Sequence, residues 1–560
     1  MPSPQSLACL ALVLMTSPVF SQQGPKIEPG KNGFLLEHEP IGTGTAFTVC
    51  YSPDGKLVVG AHAKRIFVWN AKSGKLQRSW KCEDSVRNLA FSPDGKLLAG
   101  CDFNYGGPKQ KIVYLWEFIT GKEIWSQKGG LGGWGIQFSP NGQIIMIKQG
   151  MSNRIRTWSV QTGQLMFPKY YGKHEEFFRG LCVSPKDKSI AFSPNGKSLY
   201  FWDADKKKVV NKELSGATRY DVIPLTFSPD GLLLFTQRGA YDVKTQRHLF
   251  DIYIQYPPAF SPDGRYFAQP SLTNCLICET ITGKVVHVLK GHNVIVRFVE
   301  FAADGKTLVS MSQPPPTSVP TVRPLLERCT RFWDVESGKE IEDFDGPVYN
   351  QPYIIDVSPD GKDFAASYWG AVGIWKIPER KERKERKVQL SDETMSKLWA
   401  VLLGKDANAS FRAIRSFARD PERTLPFFRK RLKPTTKQQV EKWLQALKDD
   451  NFARRSKATV ELQAVPSTFH SRLRQVAERT ESVEVRKRLL TILAGTKKEV
   501  HPLQQSAVIR LVRVIEVLER IGNDEAVEIL QRFSQDAEGR PETIHARRSL
   551  RRLKSKNSNG

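Results

Sequence analysis

Cys275-Leu276-Ile277-Cys278 is the first segment of this chain whose residue types and spacing could do chemistry. Two thiolates three positions apart can form a disulfide or share a metal ion, as in redox pairs and zinc sites. No second pair of this kind and no histidine pair at ligand spacing accompanies it. Because Cys278 stands five positions before a turn glycine, Gly283, we expect both cysteines on a buried strand and predict no metal site.

Two further segments are similar to phosphate loops. Gly130–Gly135 (GLGGWG) matches G-x-G-x-x-G, but it leads into a strand, so no helix N-terminus would face a pyrophosphate. Gly196-Lys197-Ser198 and Gly305-Lys306-Thr307 match the end of a P-loop, yet the earlier glycine is replaced by Ala191 and Glu300. We therefore predict no nucleotide and no other cofactor.

The common hydrolase motifs are missing from the sequence. It contains neither a G-x-S-x-G elbow nor an H-E-x-x-H pair, and its nine histidines are scattered. These observations predict a protein that is not an enzyme, with no catalytic residue and no small-molecule substrate. A hydrolase with a β-propeller domain, similar to prolyl oligopeptidases, stays open as the less favoured alternative, because the Ser-Pro-Asp-Gly segments at 52–55, 92–95 and 228–231 also occur in propellers of that kind.

A short turn motif recurs through the first two thirds of the chain and must organise whatever surrounds it. Its form is aromatic-Ser-Pro-Asp/Asn-Gly, in which proline fixes φ and glycine supplies the positive φ of a tight turn. The copies are Tyr51–Gly55, Phe91–Gly95, Phe138–Gly142, Phe192–Gly196, Phe227–Gly231 and Phe260–Gly264, with looser copies at Val183–Asp187, Phe301–Gly305 and Val357–Gly361.

A tryptophan or its substitute follows most of these turns, near the end of a later strand. The positions are Trp69, Trp116, Trp158, Trp202, Tyr241, Cys278, Trp333 and Trp375. Their spacing is centred on the period of a four-stranded propeller blade, about 40–45 residues. Eight units are predicted, and seven blades remain the alternative because the Tyr241 unit is short. Phe34–Ile41 is expected to supply the outer strand that closes the last blade.

Residues 34–378 resemble the WD-repeat (WD40-type) β-propeller family. The residues that carry the resemblance are Trp69, Trp116, Trp158, Trp202, Asp203, His292, Trp333, Asp334 and Trp375. In that family a histidine, a Ser/Thr, the tryptophan and a turn aspartate form a structural hydrogen-bond tetrad. Most units here lack the histidine and the aspartate, so the resemblance implies the fold with a degenerate signature.

The chain begins with a short apolar run, residues 7–15, followed by a small-residue site at Val19 and Ser21. This pattern predicts a signal peptide over 1–21, a linker over 22–33 and export to the periplasm or medium. The alternative is an apolar N-terminus of a cytoplasmic protein, since no basic residue precedes the run. Sequencing the mature N-terminus distinguishes the two. The run is too short to cross a membrane, so no transmembrane segment is predicted.

The final third changes period from two to 3.6 and becomes basic. After a charged linker at 379–390, residues 391–555 are predicted to form ten helices, and 556–560 a disordered tail. The segment resembles the HEAT-like helical extension of a group of bacterial WD-repeat proteins. The net charge of the whole chain is unevenly distributed: positions 381–560 carry +17, and positions 1–380 carry +9.

The predicted function is a scaffold that binds protein partners through the propeller and the helical array. An alternative is binding of an anionic polymer or surface by the basic tail. Its candidate residues are Arg429, Lys430, Arg431, Arg454, Arg455, Arg486, Lys487, Arg488, Arg547, Arg548, Arg551 and Arg552. Phe411, Phe417, Phe427 and Phe428 are expected to pack rather than to stack on bases. The proline-rich insertion 313–320 is interpreted as a surface loop, with a docking loop as the alternative.

Overall fold

The computed structural model of the chain forms two compact units, Met1–Glu382 and Arg383–Gly560. It describes residues 33–36, 48–62, 64–102, 111–128, 133–149, 154–166, 180–185, 190–193, 199–203, 208–211, 224–243, 245, 247–254, 258–312, 329–341, 354–368, 371–379, 388–432, 437–463, 469–495, 506–535 and 541–558. The predicted signal peptide, the proline-rich insertion and most of both linkers lie outside these residues.

The first unit is an eight-bladed β-propeller. Its described strands form eight antiparallel sheets; seven are meanders of consecutive strands, and the eighth adds β1 to β29–β31. Seven sheets have four strands, and the third has three, with Leu165 forming a single bridge to Trp158 beside its last strand. Eight blades were predicted and are confirmed, so the Tyr241 unit is a complete blade and the seven-blade alternative is wrong.

The strands are short, as expected for blades. The chain begins with β1 (Gly33–Leu35). Blades 1 to 4 contain β2 (Thr48–Tyr51), β3 (Leu57–His62), β4 (Arg65–Asn70), β5 (Leu76–Lys81); β6 (Asn88–Phe91), β7 (Leu97–Cys101), β8 (Lys111–Glu117), β9 (Glu123–Lys128); β10 (Gly133–Phe138), β11 (Ile144–Gln149), β12 (Arg154–Ser159); and β13 (Gly180–Val183), β14 (Ile190–Ser193), β15 (Tyr200–Asp203), β16 (Lys208–Asn211). Blades 5 to 8 contain β17 (Pro224–Phe227), β18 (Leu233–Thr236), β19 (Gly239–Asp242), β20 (His248–Asp251); β21 (Ala259–Phe260), β22 (Tyr266–Ser271), β23 (Asn274–Glu279), β24 (Val285–Lys290); β25 (Val296–Phe301), β26 (Thr307–Ser312), β27 (Thr330–Asp334), β28 (Lys339–Glu340); and β29 (Ile354–Val357), β30 (Asp363–Tyr368), β31 (Ala371–Lys376).

The ring closes through the first strand of the chain. β1 pairs antiparallel with β31, so the N-terminal segment supplies the outer strand of blade 8. Closure removes a sheet edge that would otherwise present unpaired N–H and C=O groups. The closing strand was predicted over Phe34–Ile41; the described strand is shorter and ends at Leu35, and residues 37–47 lie outside the described part.

The meander places the connections of each blade on two opposite faces. Connections between the first and second strands, and between the third and fourth, lie on what we call the turn face. Connections between the second and third strands, and those from blade to blade, lie on the loop face. This division follows from the antiparallel order and decides which side chains share a surface.

The Ser-Pro-Asp-Gly turns hold the turn face through side-chain hydrogen bonds. In blade 1 the Ser52 hydroxyl donates to Asp54 Oδ1 at 2.6 Å and accepts from Leu57 N at 3.0 Å, while Lys56 N donates to Asp54 Oδ1 at 3.1 Å. Partial burial raises the pKa of Asp54, but the hydrogen bonds from Ser52 and Lys56 outweigh it, so the pKa lies below its usual value. Gly55 has φ +71°, which only glycine adopts without cost.

At six blade boundaries within the described residues, a turn glycine lies against the preceding blade. A Cβ on Gly95 would lie 3.5 Å from Pro53 of blade 1, and a Cβ on Gly55 equally near Pro359 of blade 8. Further out, Gly121 lies against the Trp80 ring, where a Cβ would be 3.1 Å away. Similar outer contacts join Gly74 to Phe34, Gly163 to Trp125, Gly283 to Phe250 and Gly338 to His287. The blades therefore interlock by close approach of glycine to the neighbour's side chain.

The second unit has ten helices among its described residues, as predicted. They are α1 (Asp392–Val401), α2 (Ala407–Ala418), α3 (Pro421–Arg431), α4 (Lys437–Ala446), α5 (Phe452–Gln463), α6 (His470–Arg479), α7 (Val483–Gly495), α8 (Ser506–Ile521), α9 (Asp524–Gln535) and α10 (Pro541–Ser558). The side chains of Ser391, Asp406 and Asp420 accept the N–H of the third residue beyond them, which caps α1, α2 and α3. The disordered tail predicted at 556–560 is helical as far as Ser558, because α10 continues to that residue.

These helices form two cores. One joins α1–α3 with α8–α10 and includes Ile414, Phe417, Phe428, Val514 and Leu518; the other lies within α4–α7 and includes Val440, Leu444, Leu473, Val485 and Leu489. Arg513 of α8 is buried and donates to the carbonyls of Leu402 (2.8 Å) and Gly404 (2.9 Å) at the end of α1. The first core thus joins helices that are far apart in the sequence, unlike a stack built only from chain neighbours.

The second core repeats a helical hairpin. Arg455 of α5 pairs with Glu484 of α7, and Arg488 of α7 donates to Thr459 of α5, so α5 and α7 run parallel. Arg472 of α6 pairs with Glu441 of α4 at 2.7 Å, across a nearly equal separation in the sequence. The hairpin α4–α5 is therefore followed by a second hairpin, α6–α7, in a matching orientation.

We predict that Gly121→Ala destabilises the propeller by about 1–2 kcal/mol, because φ is +71° and the new methyl group meets Trp80. Urea unfolding of the full-length protein, followed by tryptophan fluorescence, measures the change. Lys122→Ala alters the exposed neighbour and is the matched control. Equal midpoints for both variants would contradict the importance of this contact.

Candidate interaction surfaces

One blade retains most of the predicted tetrad. In blade 7, Trp333 Nε1 donates to Ser310 Oγ at 2.7 Å, and Ser310 Oγ lies 2.7 Å from His292 Nε2. Burial, followed by the positive charge of Arg331, lowers the pKa of His292 to about 3, so the imidazole is neutral at pH 7. Because the indole N–H can only donate, the serine hydroxyl is available to donate to the imidazole. His292 is therefore a structural residue.

The other signature tryptophans pack without this serine. Trp69, Trp116, Trp158 and Trp375 are buried, as the repeat predicts. At the strand position equivalent to Ser310, blades 1 and 2 have Gly60 and Gly100, and the tryptophan rings of those blades lie directly against them. In these two blades the tetrad is thus replaced by ring-to-glycine packing, whereas blades 3 and 8 have Ile147 and Ala366 at this position.

The two Trp-Asp pairs lie at the ends of third strands. Trp333-Asp334 ends β27, where Asp334 Oδ1 accepts from Ser337 N at 2.6 Å and holds the following turn. Trp202-Asp203 ends β15, with Trp202 opposite Ile190 in the strand register. Both pairs occupy scaffold positions of the blade.

The cysteines of the C-x-x-C segment have no reactive character. Cys275 and Cys278 lie on β23 and are buried, and burial raises the pKa of each thiol to about 12. Neither thiol is in a disulfide. Among the described residues, no group of three or more His, Cys, Asp or Glu side chains is placed to hold a metal ion. The prediction of a buried strand is confirmed.

Sequence reasoning missed a buried carboxylate where the ring closes. Asp356 of β29 is 4% exposed, and its Oδ2 accepts from Tyr51 N of blade 1 at 2.6 Å. Burial raises the pKa of Asp356 to about 7. Burial and the Asp356 charge also raise the pKa of Glu300, on β25, well above its usual range. The sequence did contain a signal for Asp356. It directly precedes a copy of the turn motif, and at the same repeat position other blades have the uncharged residues Cys50, Ala90 and Thr226.

The loop face carries exposed apolar side chains on blades 5 to 7. Tyr253 is 62% exposed in the loop from blade 5 to blade 6, beneath the Arg238 guanidinium at 5.0 Å from its ring. Leu272 is 75% exposed in the turn between β22 and β23, and Ile295 is 36% exposed in the next loop. Exposed apolar side chains grouped on one surface are typical of binding sites.

The equivalent loop of blade 1 is polar and internally paired. Glu83 lies 2.7 Å from Lys111 Nζ, and Lys111 also contacts Glu123 at 3.1 Å. Asp84 pairs with Lys64 at 3.5 Å and accepts from Lys111 N. This part of the loop face satisfies its own charges and offers little to a partner.

The basic clusters of the helical unit are largely engaged in internal contacts. In the first, Arg429 pairs with Glu525 and Glu528 of α9, and Arg431 lies 3.7 Å above the Phe427 ring. Lys430, between them, is exposed. Two of the three candidate cations are therefore held by contacts within the unit.

The second and third clusters meet at the parallel pair α5 and α7. Arg455 and Arg488 both pair with Glu484 and flank the exposed Phe452 ring. Arg454 pairs with Asp449, and Arg486 donates to the Thr480 carbonyl at 2.6 Å. Lys487 is exposed on the outer side of α7.

The last cluster lies on α10. Arg552 forms a bidentate salt bridge with Glu519, in which both N–O distances are 2.8 Å. Arg547 donates to the Ser534 carbonyl. Arg548 is half-buried and Arg551 is exposed. Phe411, Phe417, Phe427 and Phe428 are buried, so the prediction that they pack is confirmed.

One repeat of the propeller matches a known repeat family. Residues 74–116, from the end of blade 1 to β8, match the family described as "WD domain, G-beta repeat". The chain therefore contains a WD repeat within an eight-bladed β-propeller. Among the described residues, no helix is both long and apolar enough to cross a membrane.

Three relatives illustrate the similarity. Echinoderm microtubule-associated protein-like 2 of Rattus norvegicus is 25% identical over 217 residues, 38% of this chain and 31% of its own length. Eukaryotic translation initiation factor 3 subunit I of Aspergillus terreus is 30% identical over 118 residues, 21% of this chain and 30% of its own length. The same subunit of Phaeosphaeria nodorum is 25% identical over 225 residues, which is 37% of this chain and 64% of that protein.

The chain thus spans about a third of the length of the first two relatives. All three come from eukaryotes, so they give no support to the bacterial origin that the helical extension implied.

We predict that the propeller loses stability as pH rises through about 7. The folded chain holds the Asp356 proton more tightly than the unfolded chain does, so its stabilising contribution is present at low pH and is lost as Asp356 ionises. Asp356→Asn should flatten the fall in urea midpoint between pH 5.5 and 8. Glu379→Gln, at an exposed carboxylate of the first unit, is the control, and equal pH slopes in the two variants would contradict the prediction.

Proposed function

We propose that the protein is a non-catalytic scaffold that binds protein partners through its propeller and its helical unit. The observation that carries this proposal is the group of exposed apolar side chains on the loop face of the propeller. The nucleophilic and titratable residues that drew notice in the sequence serve structure instead: His292 bonds Ser310, and Cys275 and Cys278 are buried thiols.

The hydrolase alternative requires a strand-rich catalytic domain with an exposed nucleophile after a strand. The described part of 388–558 consists of helices and their connections, which disfavours that alternative. The names of the relatives, a microtubule-associated-like protein and a subunit of an initiation factor, agree with a role in assemblies.

The HEAT-like character of the helical unit belongs to the same proposal. Support comes from the matching hairpins α4–α5 and α6–α7, which are joined by the salt bridges Arg455–Glu484 and Arg472–Glu441 across nearly equal separations in the sequence. Arrays of such hairpins present extended surfaces to partners.

We predict that tagged full-length protein, cross-linked in its own cells, retains defined partners in near-stoichiometric amounts. Trp375→Asp and Phe417→Asp place a charge in the propeller core and the helical core respectively, so each should release a different subset of partners. Quantitative mass spectrometry measures the retained set. If both variants retained the same set of partners, or if a serine-hydrolase probe labelled the protein stoichiometrically, the proposed scaffold function would be contradicted.

Binding of an anionic polymer by the tail is the second candidate, supported by the net charge of +17 on positions 381–560. The internal pairs of Arg429, Arg455, Arg488 and Arg552 reduce the charge left for a partner.

We predict that any heparin retention of the full-length protein depends on the exposed cations Lys430, Lys487 and Arg551, and that their replacement by Ala lowers the eluting salt concentration. The control replaces Lys56, Lys72 and Lys122 of the propeller by Ala, which removes the same charge. Equal shifts, or no retention of the unmodified protein at low salt, would contradict this candidate.

A further inference from the structure

We infer that the loop face of blades 5 to 7 binds an extended peptide that carries an apolar side chain next to a carboxylate. The inference rests on the proposed scaffold function and names the surface and the chemistry of one partner. Its centre consists of Tyr253, Leu272 and Ile295, with Arg238 and Lys290 at the margin.

Tyr253 and Ile295 are related by the geometry of successive blades. The residue after each of them donates its N–H to a carbonyl of the adjoining turn: Ile254 N to the Gln237 carbonyl at 3.0 Å, and Val296 N to the Leu272 carbonyl at 2.8 Å. Those following residues, Ile254 and Val296, are buried anchors. The exposed side chain therefore projects from a fixed backbone in two neighbouring loops.

The blade 1 loop shows that the fold does not require an apolar residue there. Cys82 N donates to the Lys64 carbonyl at 2.7 Å, as Ile252 N does to the Arg238 carbonyl at 3.2 Å. This pairing makes Glu83 the equivalent of Tyr253. The propeller fold accepts a charged residue at this position, so folding does not explain the tyrosine.

Leu272 combines exposure with an unfavourable backbone. Its φ is +53°, the only positive φ of a non-glycine residue among those the structure describes. A branched apolar side chain in this conformation, 75% exposed to water, gains nothing for the fold. Glycine would relieve the strain and asparagine would tolerate it, so the leucine side chain itself must have a use.

The charge around the patch favours an acidic partner. The described connections 237–239, 252–254, 271–273 and 291–295 contain the cation Arg238 and no carboxylate, and exposed Lys290 immediately precedes the last of them. Asp251, the acid that directly precedes the Tyr253 loop, has a side chain that is 95% exposed and lies 3.2 Å from His248 Nε2. Tyrosine and arginine are among the residue types that most often dominate binding energy in interfaces, and the Tyr253–Arg238 stack provides both.

The test pans a random phage-displayed peptide library against the full-length protein. Selected peptides are resynthesised, and their affinity is measured by fluorescence polarisation. We expect peptides in which Asp or Glu adjoins an aromatic or aliphatic residue. Leu272→Gly and Tyr253→Ser should each weaken binding by about tenfold or more. Ile119→Ser removes an equally exposed apolar side chain from the turn face and should leave affinity unchanged.

Leu272→Gly should also leave the thermal midpoint unchanged or raised, which separates lost binding from lost folding. The inference is overturned if no peptide is selected, or if peptide affinity is unchanged in both Leu272→Gly and Tyr253→Ser. It is also overturned if Ile119→Ser lowers the affinity by the same factor. Concentration-dependent self-association abolished by Leu272→Gly would also overturn it, by making a second copy the occupant. If Leu272→Gly leaves every cross-linked partner in place, this inference fails while the scaffold function stands.

Discussion

The close approach of turn glycines to the preceding blade is the contact on which the described blade boundaries depend. Gly95 against Pro53 and Gly121 against Trp80 occur at the same blade boundary, one near the inner strands and one near the outer strand. The boundary between blades 8 and 1 repeats them through Gly55 with Pro359 and Gly74 with Phe34. Because φ is positive at these glycines, a single residue type satisfies both the turn and the packing. The tryptophans then fill the blades that this contact sets in place.

Arginine has the corresponding role in the helical unit. Arg513 satisfies carbonyl groups at the end of α1, and Arg455, Arg472 and Arg552 join helices distant in sequence. A guanidinium is suited to this because it donates several hydrogen bonds in a fixed plane. A large part of the basic excess is therefore structural, and net charge alone overstates how much of the surface can attract an anion.

The sequence predicted features that depend on near neighbours along the chain. The turn spacing identified eight blades, including the two units without tryptophan, and the predicted helical segment began at 391, the residue that caps α1. The closing strand was the one long-range feature predicted, whereas two others escaped: the Tyr51–Asp356 hydrogen bond joins the two ends of the propeller sequence, and α2 packs with α8. The strained Leu272 escaped for a different reason, since a leucine in a strand-rich region gives no sign of a positive φ.

The closing strand has a consequence for synthesis on the ribosome. β1 is made near the start of the chain, but its partner β31 ends at Lys376. At roughly 5–20 residues per second, the nascent chain carries an unmatched strand for on the order of 20–70 s. During that interval β1 lacks its pairing partner, and the growing arc of blades leaves an apolar sheet face uncovered at each end, where chaperones or neighbouring nascent chains can bind. Ring completion is thus a late event, and the timing of translation belongs among the factors that determine yield.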